Sequence, residues 1–176
     1  MRIATEIAYI ALGSNLGDSI RVVREAMSRL AVLSAVPLIK SSLWETTPID
    51  CPPGSPFFIN AVVGLMPHDH DEPQMLLAPL QAIEREFGRQ PKKVLNEARL
   101  LDLDIIAFGE RAISTPQLIL PHPRAHVRAF VLAPLSEIAP DLVLPGQTQS
   151  VSMLLNDLLK IRSNRAKQAV SIIDVP

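Results

Sequence analysis

The order of the apolar segments constrains this fold more than any other feature of the chain. Segments that read as strands and segments of helical period follow one another as strand, helix, strand, strand, helix, strand. The predicted strands cover 7–12, 38–47, 57–66 and 99–108, and the predicted helices cover 19–33 and 73–87. This order is the split pattern of ferredoxin-like α+β folds. It predicts a mainly antiparallel sheet with helices packed on one face, and a ligand site at the sheet edge and its loops.

The remaining segments are shorter. The spacing predicts a turn at 13–18 in which Asp18 caps the first helix, and a hairpin turn at Gly109-Glu110 that leads to a short partner strand, Ala112-Ile113. It also predicts a helix over 125–138 in two pieces broken at Pro134, and a last helix from about 150 to 161. No helix or strand is assigned to the tail 162–176. No repeat or linker interrupts the chain, so residues 1–176 are expected to form a single domain.

The composition is that of a soluble globular protein. The 176 residues are 48% hydrophobic and carry a formal net charge of −1, which argues against a nucleic-acid-binding protein because these are usually basic. No apolar stretch is long enough to span a membrane, and the first residues lack the pattern of a signal peptide. The single cysteine, Cys51, excludes an internal disulfide and is interpreted as an ordinary thiol. We expect a cytoplasmic monomer without a membrane or nucleic-acid partner.

Two carboxylates, Asp102 and Asp104, stand two residues apart in an apolar predicted strand. Period two places both on one face of the sheet. The spacing alone leaves two interpretations open: solvated acids on an outer face, or a cation site, for which Mg²⁺ suits a few carboxylates plus substrate phosphates. Ile106 and Phe108 are expected on the same face, so that face is not simply solvated. Arg99 and the basic loop 89–93 lie just upstream and indicate a polyanionic ligand.

A second cationic cluster lies between Pro121 and Phe130. It contains His122, Arg124, His126 and Arg128, which suit contacts to a triphosphate. No cysteine or acid is interleaved, so a zinc site is not expected. The glycine turn at 13–17 lacks the P-loop pattern and is interpreted as a strand-to-helix connection.

Asn60 is a polar residue inside an apolar predicted strand. A buried amide must satisfy its hydrogen bonds. One interpretation is a structural link to a neighbouring loop. The other is recognition of a flat heterocycle, with an aromatic such as Phe58 or Phe130 as the stacking plane.

Taken together in their order, these motifs resemble one enzyme family. The chain resembles the 6-hydroxymethyl-7,8-dihydropterin pyrophosphokinases of folate biosynthesis from about residue 8 to residue 158. The shared segments include Ala-Tyr-Ile-Ala-Leu-Gly-Ser-Asn-Leu-Gly-Asp at 8–18, Phe-Ile-Asn-Ala-Val at 58–62, Ala-Arg-Leu-Leu-Asp-Leu-Asp-Ile at 98–105 and Pro-His-Pro at 121–123. They also include Thr-Thr-Pro at 46–48, Gly88-Arg89, the positions Gln81 and Glu84, and the segment 128–141.

The resemblance implies a reaction and a set of site residues. ATP and the hydroxymethyl-dihydropterin would give AMP and the pterin diphosphate, with attack of the pterin hydroxyl on the β-phosphorus. Asp102 and Asp104 would hold two Mg²⁺ ions, and Arg89 and Arg99 would contact phosphates. The implied ATP residues are Gln81, Glu84, His122 and Arg128, and the implied pterin residues are Thr46, Ile49, Phe58, Asn60 and Phe130.

The chain departs from the family pattern in the loop before the acidic strand. Many members carry Trp-Gly-Pro-Arg there, whereas this chain has 96–99 as Asn-Glu-Ala-Arg, so Asn96 is not assigned to the site. Pro91 and Leu95 replace loop arginines of some members, and Pro123 replaces an aromatic. Two other functions remain alternatives at this point: a different two-metal phosphoryl or nucleotidyl transferase on the same fold, and a non-catalytic ferredoxin-like binding module.

Overall fold

A computed structural model describes residues 6–48, 51, 53–68, 72–89, 98–163 and 170–173. Its centre is an antiparallel sheet built from β1 (Ala8–Ser14), β2 (Ile39–Lys40), β3 (Leu43–Thr46), β4 (Phe58–Leu65), β5 (Asp102–Phe108) and β8 (Val170–Ile173). The strand order is β5-β1-β4-β3-β8, and β2 pairs with β4 beside β3. The predicted ferredoxin-like α+β fold is therefore confirmed.

Helices cover both faces of this sheet. Helices α1 (Ser19–Leu30) and α2 (Leu77–Glu86) pack on one face, and α3 (Ala129–Ile138) and α4 (Val151–Ser163) pack on the other. The expectation of helices on one face is wrong. The central strands carry apolar side chains on both faces of the sheet, so each face needs a covering layer of helices. In β4, Val63 belongs to the core under α1 and α2, whereas Val62 belongs to the core under α3 and α4.

The first helix begins as predicted. The Asp18 carboxylate accepts a hydrogen bond from the Arg21 backbone N–H at 3.1 Å and so caps the N-terminus of α1. Both early helices are shorter than predicted and are extended by 3₁₀ turns, at Ala31–Leu33 after α1 and at Pro73–Leu76 before α2. No helix among the described residues is both long and apolar enough to span a bilayer.

The predicted strand 38–47 is interrupted at Ser41. The Ser41 hydroxyl accepts a hydrogen bond from the Val62 N–H at 2.9 Å and donates one to the Ser42 carbonyl at 2.8 Å. The Ser41 hydroxyl therefore takes the place of a backbone carbonyl as the acceptor for the Val62 N–H, and the strand divides into β2 and β3. The unassigned tail contributes β8, which pairs with β3 along four residues.

The predicted hairpin partner of the acidic strand is wrong. Strand β6 (Ile113–Ser114) pairs with β7 (Ile119–Leu120), not with β5. Thr115 closes this small hairpin, because its hydroxyl donates to the Leu118 carbonyl and accepts from the Leu118 N–H. This segment therefore forms its own two-stranded sheet.

The predicted helix break at Pro134 is also wrong. Helix α3 runs through Pro134, and the break falls at Arg128, between the 3₁₀ turn Ala125–Val127 and α3. A proline removes one N–H donor from a helix. Pro134 is nevertheless a buried residue inside α3, and the helix continues past it to Ile138.

A bulge in β5 changes which side chains share the acidic face. Ile10 pairs with Ile105 but Tyr9 pairs with Ala107, so Ile106 is the extra residue. Ile106 lies on the acidic face as predicted, in the core under α3 and α4. Phe108 was predicted on that face but lies in the opposite core, because the extra residue inverts the alternation after it.

Candidate active site

The site begins with one row of residues across the sheet. Asp102 on β5 pairs with Gly13 on β1, and Gly13 pairs with Asn60 on β4. Directly paired residues of antiparallel strands point to the same face. The row therefore places a carboxylate and an amide on either side of a glycine. A Cβ on Gly13 would lie 3.2 Å from Asn60 Oδ1, so the absence of a side chain keeps the space between them open.

A cavity of about 310 Å³ lies over this row, on the face covered by α3. Eight of the predicted site residues line it: Thr46, Phe58, Asn60, Arg99, Asp102, Asp104, Arg128 and Phe130. Arg124, from the predicted cationic cluster, also lines it. The rest of the lining was not predicted for the site and consists of Ala11, Leu12, Gly13, Thr47, Cys51, Val127 and Val131.

The amide of Asn60 is oriented by a hydrogen bond inside the protein. Its Nδ2 donates to Thr46 Oγ1 at 2.7 Å, and both residues are buried. The bond fixes the direction of the carbonyl Oδ1, which faces the Gly13 position. A fixed amide, a threonine and the ring of Phe58 in one cavity suit a flat heterocycle that carries both donors and acceptors.

The acid pair is surrounded by arginines. Asp102 Oδ1 lies 2.8 Å from Arg99 Nη1 and 3.4 Å from Arg89 Nη1, and the Asp102 side chain is 26% exposed. Among the described residues, no group of three or more His, Cys, Asp or Glu side chains could hold a metal ion. Two carboxylates on one strand face could hold Mg²⁺, which binds through one or two carboxylates and takes waters and substrate phosphates as its other ligands.

Glu84, on α2, contacts both an arginine of this network and the acidic strand. It is 3% exposed, forms an ion pair with Arg89, and accepts a hydrogen bond from the Leu103 N–H at 2.8 Å. Burial raises the pKa of the Glu84 carboxyl, while the Leu103 hydrogen bond and the Arg89 charge oppose that rise. Leu103 lies between Asp102 and Asp104, so Glu84 holds the backbone that carries both acids.

Arg99 is held by a residue that sequence reasoning did not assign to the site. The Asn15 Oδ1 accepts from the Arg99 N–H at 2.9 Å, and the Asn15 N–H donates to the Arg99 carbonyl at 3.2 Å. Asn15 is almost completely buried. The signal available in the sequence was a polar residue in the turn after β1, but its partner lies 84 residues away.

His122 is fixed in one neutral tautomer. Its backbone N–H donates to the Ile106 carbonyl at 2.8 Å, and its ring Nδ1 accepts from the Arg124 backbone N–H at 3.1 Å. Burial lowers the pKa of His122 to about 4, and the charges of Arg128 and Arg124 add to the effect. Because Nδ1 is an acceptor, the ring proton is on Nε2, and His122 acts as a neutral donor near neutral pH.

Arg128 lies beside the predicted aromatic plane. Its Cζ is 5.4 Å from the centre of the Phe130 ring, a cation–π distance. Burial lowers the pKa of the Arg128 guanidinium, and the nearby charge of Arg124 lowers it further. Both side chains come from the start of α3, so one helix end supplies a cation and a ring to the cavity.

Some predicted residues do not line the cavity. Glu84, Arg89 and His122 are joined to its lining through the contacts above. Gln81 lies on α2 and is exposed, and its assignment to ATP stays a prediction. Ile49, predicted for the pterin, and the loop residues Pro91, Lys92, Lys93, Leu95 and Asn96 lie outside the described residues.

The fold and the cavity define a ferredoxin-like α+β protein with an acid pair, arginines and a fixed amide in one site. The family model for 7,8-dihydro-6-hydroxymethylpterin-pyrophosphokinase matches residues 9–140. The chain belongs to this family. The non-catalytic binding module and the other two-metal transferases are therefore not favoured.

Named relatives agree with this membership. A 2-amino-4-hydroxy-6-hydroxymethyldihydropteridine pyrophosphokinase of Haemophilus influenzae is 39% identical over 154 residues, which cover 87% of this chain and 91% of that protein. The protein of the same name from Bacillus subtilis is 44% identical over 136 residues, covering 75% and 77%. A folic acid synthesis protein fol1 of Pneumocystis carinii is 41% identical over 151 residues; the chain spans 20% of that longer protein.

Solved structures agree with the fold. An HPPK-DHPS protein in complex with substrates aligns with a TM-score of 0.71 at 14% identity, covering 92% of this chain and 45% of that one. A wild-type HPPK-DHPS of Plasmodium falciparum aligns with a TM-score of 0.72 at 14% identity, covering 93% and 46%. The chain thus spans less than half of these two solved chains, and the likeness concerns the fold alone.

Proposed function

We propose that this chain transfers the β,γ-diphosphoryl group of ATP to the hydroxymethyl oxygen of 6-hydroxymethyl-7,8-dihydropterin, a step of folate biosynthesis. The oxygen forms a bond to the β-phosphorus, the bond from that phosphorus to the AMP oxygen breaks, and the hydroxyl proton is released. The products are AMP and the pterin diphosphate. Membership of the pyrophosphokinase family and the names of its relatives support this reaction and the use of ATP.

The acid pair carries the proposed metal chemistry. Asp102 and Asp104 would hold two Mg²⁺ ions, which would neutralise phosphate charge when bound. The donor set supports this assignment, because two carboxylates project from one face of β5 into the cavity. Asp102 also contacts Arg89 and Arg99 in this structure. With a cation held by Asp102, the guanidiniums of Arg89 and Arg99 would be available to contact the phosphates of ATP.

The remaining residues orient the two substrates. We assign the pterin to Asn60, Thr46, Phe58, Phe130 and Ile49, with the fixed Asn60 amide reading the polar edge of the ring. We assign ATP to Gln81, His122 and Arg128, with His122 donating from Nε2 to a phosphate oxygen. Glu84, predicted for the ATP site, contributes by holding Arg89 and the Leu103 N–H. The juxtaposition of Asn60 and Asp102 across Gly13 carries this assignment, because it places a heterocycle site beside a metal–phosphate site.

We further propose that residues 1–176 act as one soluble domain, as a monomer in the cytoplasm, on small-molecule substrates without a membrane or nucleic-acid partner. The net charge of −1 supports the absence of a nucleic-acid surface.

The test is product analysis with ATP, Mg²⁺ and the reduced hydroxymethyl-pterin. AMP must form, and its formation must require the pterin. Asp102→Asn and Asp104→Asn should each lower kcat by at least about 100-fold, because each removes a ligand that stabilises transition-state charge. The control is Asp157→Asn, which changes an acid on α4 that pairs with Lys160. Formation of ADP, or full activity in either site variant, would refute the proposed function.

A further inference from the structure

A third arginine lines the cavity besides Arg99 and Arg128. Arg124 lies in the loop between β7 and α3, and its side chain is part of the cavity wall together with Arg99, Arg128 and the acid pair. The cationic cluster at 121–130 includes Arg124, and neither substrate has been assigned to this residue.

The backbone of Arg124 is tied to the acidic strand. Its N–H donates to His122 Nδ1 at 3.1 Å, and the His122 N–H donates to the carbonyl of Ile106 at 2.8 Å. Ile106 is two residues after Asp104 on β5. Two hydrogen bonds therefore fix the start of the Arg124 side chain relative to the proposed metal ligands, although the residue itself is exposed.

The charge of Arg124 is not compensated in the way that the charges of Arg99 and Arg89 are. Arg99 and Arg89 form ion pairs with Asp102, and Arg89 pairs with Glu84 as well. Within the described ranges, Arg124 has no ion pair with a carboxylate. It acts instead on its cationic neighbours, since its charge lowers the pKa of both Arg128 and His122. An anion placed between Arg124 and Arg128 would turn this repulsion into attraction.

We propose that Arg124 binds the phosphate chain of ATP and is a further nucleotide-binding residue of this enzyme. The inference rests on the proposed function and extends it. A guanidinium presents paired donors that match phosphate oxygens, and a polyanion satisfies Arg124 and Arg128 at once. The pterin is a poor alternative partner, because a neutral ring leaves the charge of both arginines uncompensated.

The experiment compares Arg124→Gln with Arg85→Gln, a matched change of an exposed arginine on α2 that does not line the cavity. Titration calorimetry with an unreactive ATP analogue and Mg²⁺, without pterin, measures nucleotide binding directly. We expect Arg124→Gln to weaken binding by roughly ten-fold or more, as for the loss of one charged hydrogen bond. Arg85→Gln should stay within two-fold of wild type, and Arg124→Lys should recover part of the affinity because it keeps the charge.

Steady-state kinetics separate a phosphate contact from a general disturbance of the site. The KM for ATP should rise in Arg124→Gln, while the KM for the pterin stays within two-fold. Unchanged nucleotide binding in Arg124→Gln, a defect confined to the pterin KM, or Arg124→Lys as weak as Arg124→Gln would each overturn the proposal. Failure of the wild-type chain to form AMP would refute the proposed function instead, and the calorimetric comparison would still decide whether Arg124 binds a nucleotide.

Discussion

Substitution of Gly13 by alanine tests the geometry of the heterocycle site with a single methyl group. The new Cβ would lie 3.2 Å from Asn60 Oδ1, closer than an ordinary carbon–oxygen contact. The Asn60 amide has little freedom to retreat, because its Nδ2 is bonded to Thr46 Oγ1 at 2.7 Å. The methyl group would therefore displace the amide by a few tenths of an ångström and occupy part of the gap between Asn60 and Asp102.

The size of the effect follows from the interaction that is disturbed. Weakening one hydrogen bond between a fixed amide and a ligand costs about 1–2 kcal/mol, and 1.4 kcal/mol corresponds to a factor of about ten. We expect the KM for the pterin to rise by roughly ten-fold and the KM for ATP to change by less than two-fold. Stability should change little, because alanine gains roughly 0.5–1 kcal/mol over glycine inside a strand and this offsets the tight contact.

The assay is steady-state kinetics with each substrate varied, together with urea unfolding. The control is Gly64→Ala on β4, whose Cβ would lie 3.3 Å from Ile7 Cγ2, a similar contact outside the cavity. This variant should leave both KM values unchanged. The reasoning would be refuted by a pterin KM for Gly13→Ala equal to that of wild type, or by the same kinetic defect in Gly64→Ala.

Three further predictions concern other parts of the site. Glu84→Leu should lower the free energy of unfolding by about 1–3 kcal/mol, because it leaves the buried Leu103 N–H without its acceptor. Glu84→Gln should lower it by less. Urea unfolding of the two variants measures the difference, and equal losses of stability would contradict this prediction. The imidazole of His122 should stay neutral in an NMR titration down to about pH 5, since its pKa is lowered to about 4. The stabilisation that comes from burying neutral His122 is then complete above the unfolded pKa of about 6.5 and is lost as the pH falls toward 4. Protonation of His122 near pH 6.5 would contradict a buried imidazole between two arginines. Phe130→Ala should raise the pterin KM by at least about ten-fold through loss of ring stacking, with a smaller change for ATP; a KM increase for ATP alone would reassign the ring.

Local patterns were sufficient for much of the fold. The order of apolar strand-like segments and segments of helical period predicted the sequence of strands and helices from β1 to β5, apart from the division of one strand into β2 and β3. Asp18 predicted the start of α1. Period two correctly placed Asp102 and Asp104 on one face, where both line the cavity. These features depend on residues a few positions apart, which is the range over which sequence patterns are informative.

The errors arise where distant segments decide the outcome. The bulge at Ile106 appears only in the pairing of β5 with β1, and it moved Phe108 to the opposite core. Ser41 interrupts a predicted strand because its hydroxyl bonds to Val62 of another strand. Strand β8 is defined by its pairing with β3, so the sequence of the tail 162–176 alone was not sufficient to predict a strand.

The candidate site shows the same division. The acid pair, Asn60 and Arg128 were selected from their local surroundings, and the structure brings all of them to one cavity. Gly13 was interpreted as part of a turn, yet it lies in β1 between Asn60 and Asp102. Its importance depends on two cross-strand partners, which no local pattern reveals.

The central claim is that an intact diphosphoryl group moves from ATP to the pterin. Phosphorus NMR of a reaction of the wild-type chain with ATP, Mg²⁺ and 6-hydroxymethyl-7,8-dihydropterin tests it directly. Transfer of the intact group should give an AMP singlet together with two mutually coupled doublets of a new diphosphate ester, in equal amounts. The appearance of ADP with a pterin monophosphate, or of AMP with free pyrophosphate, would contradict it.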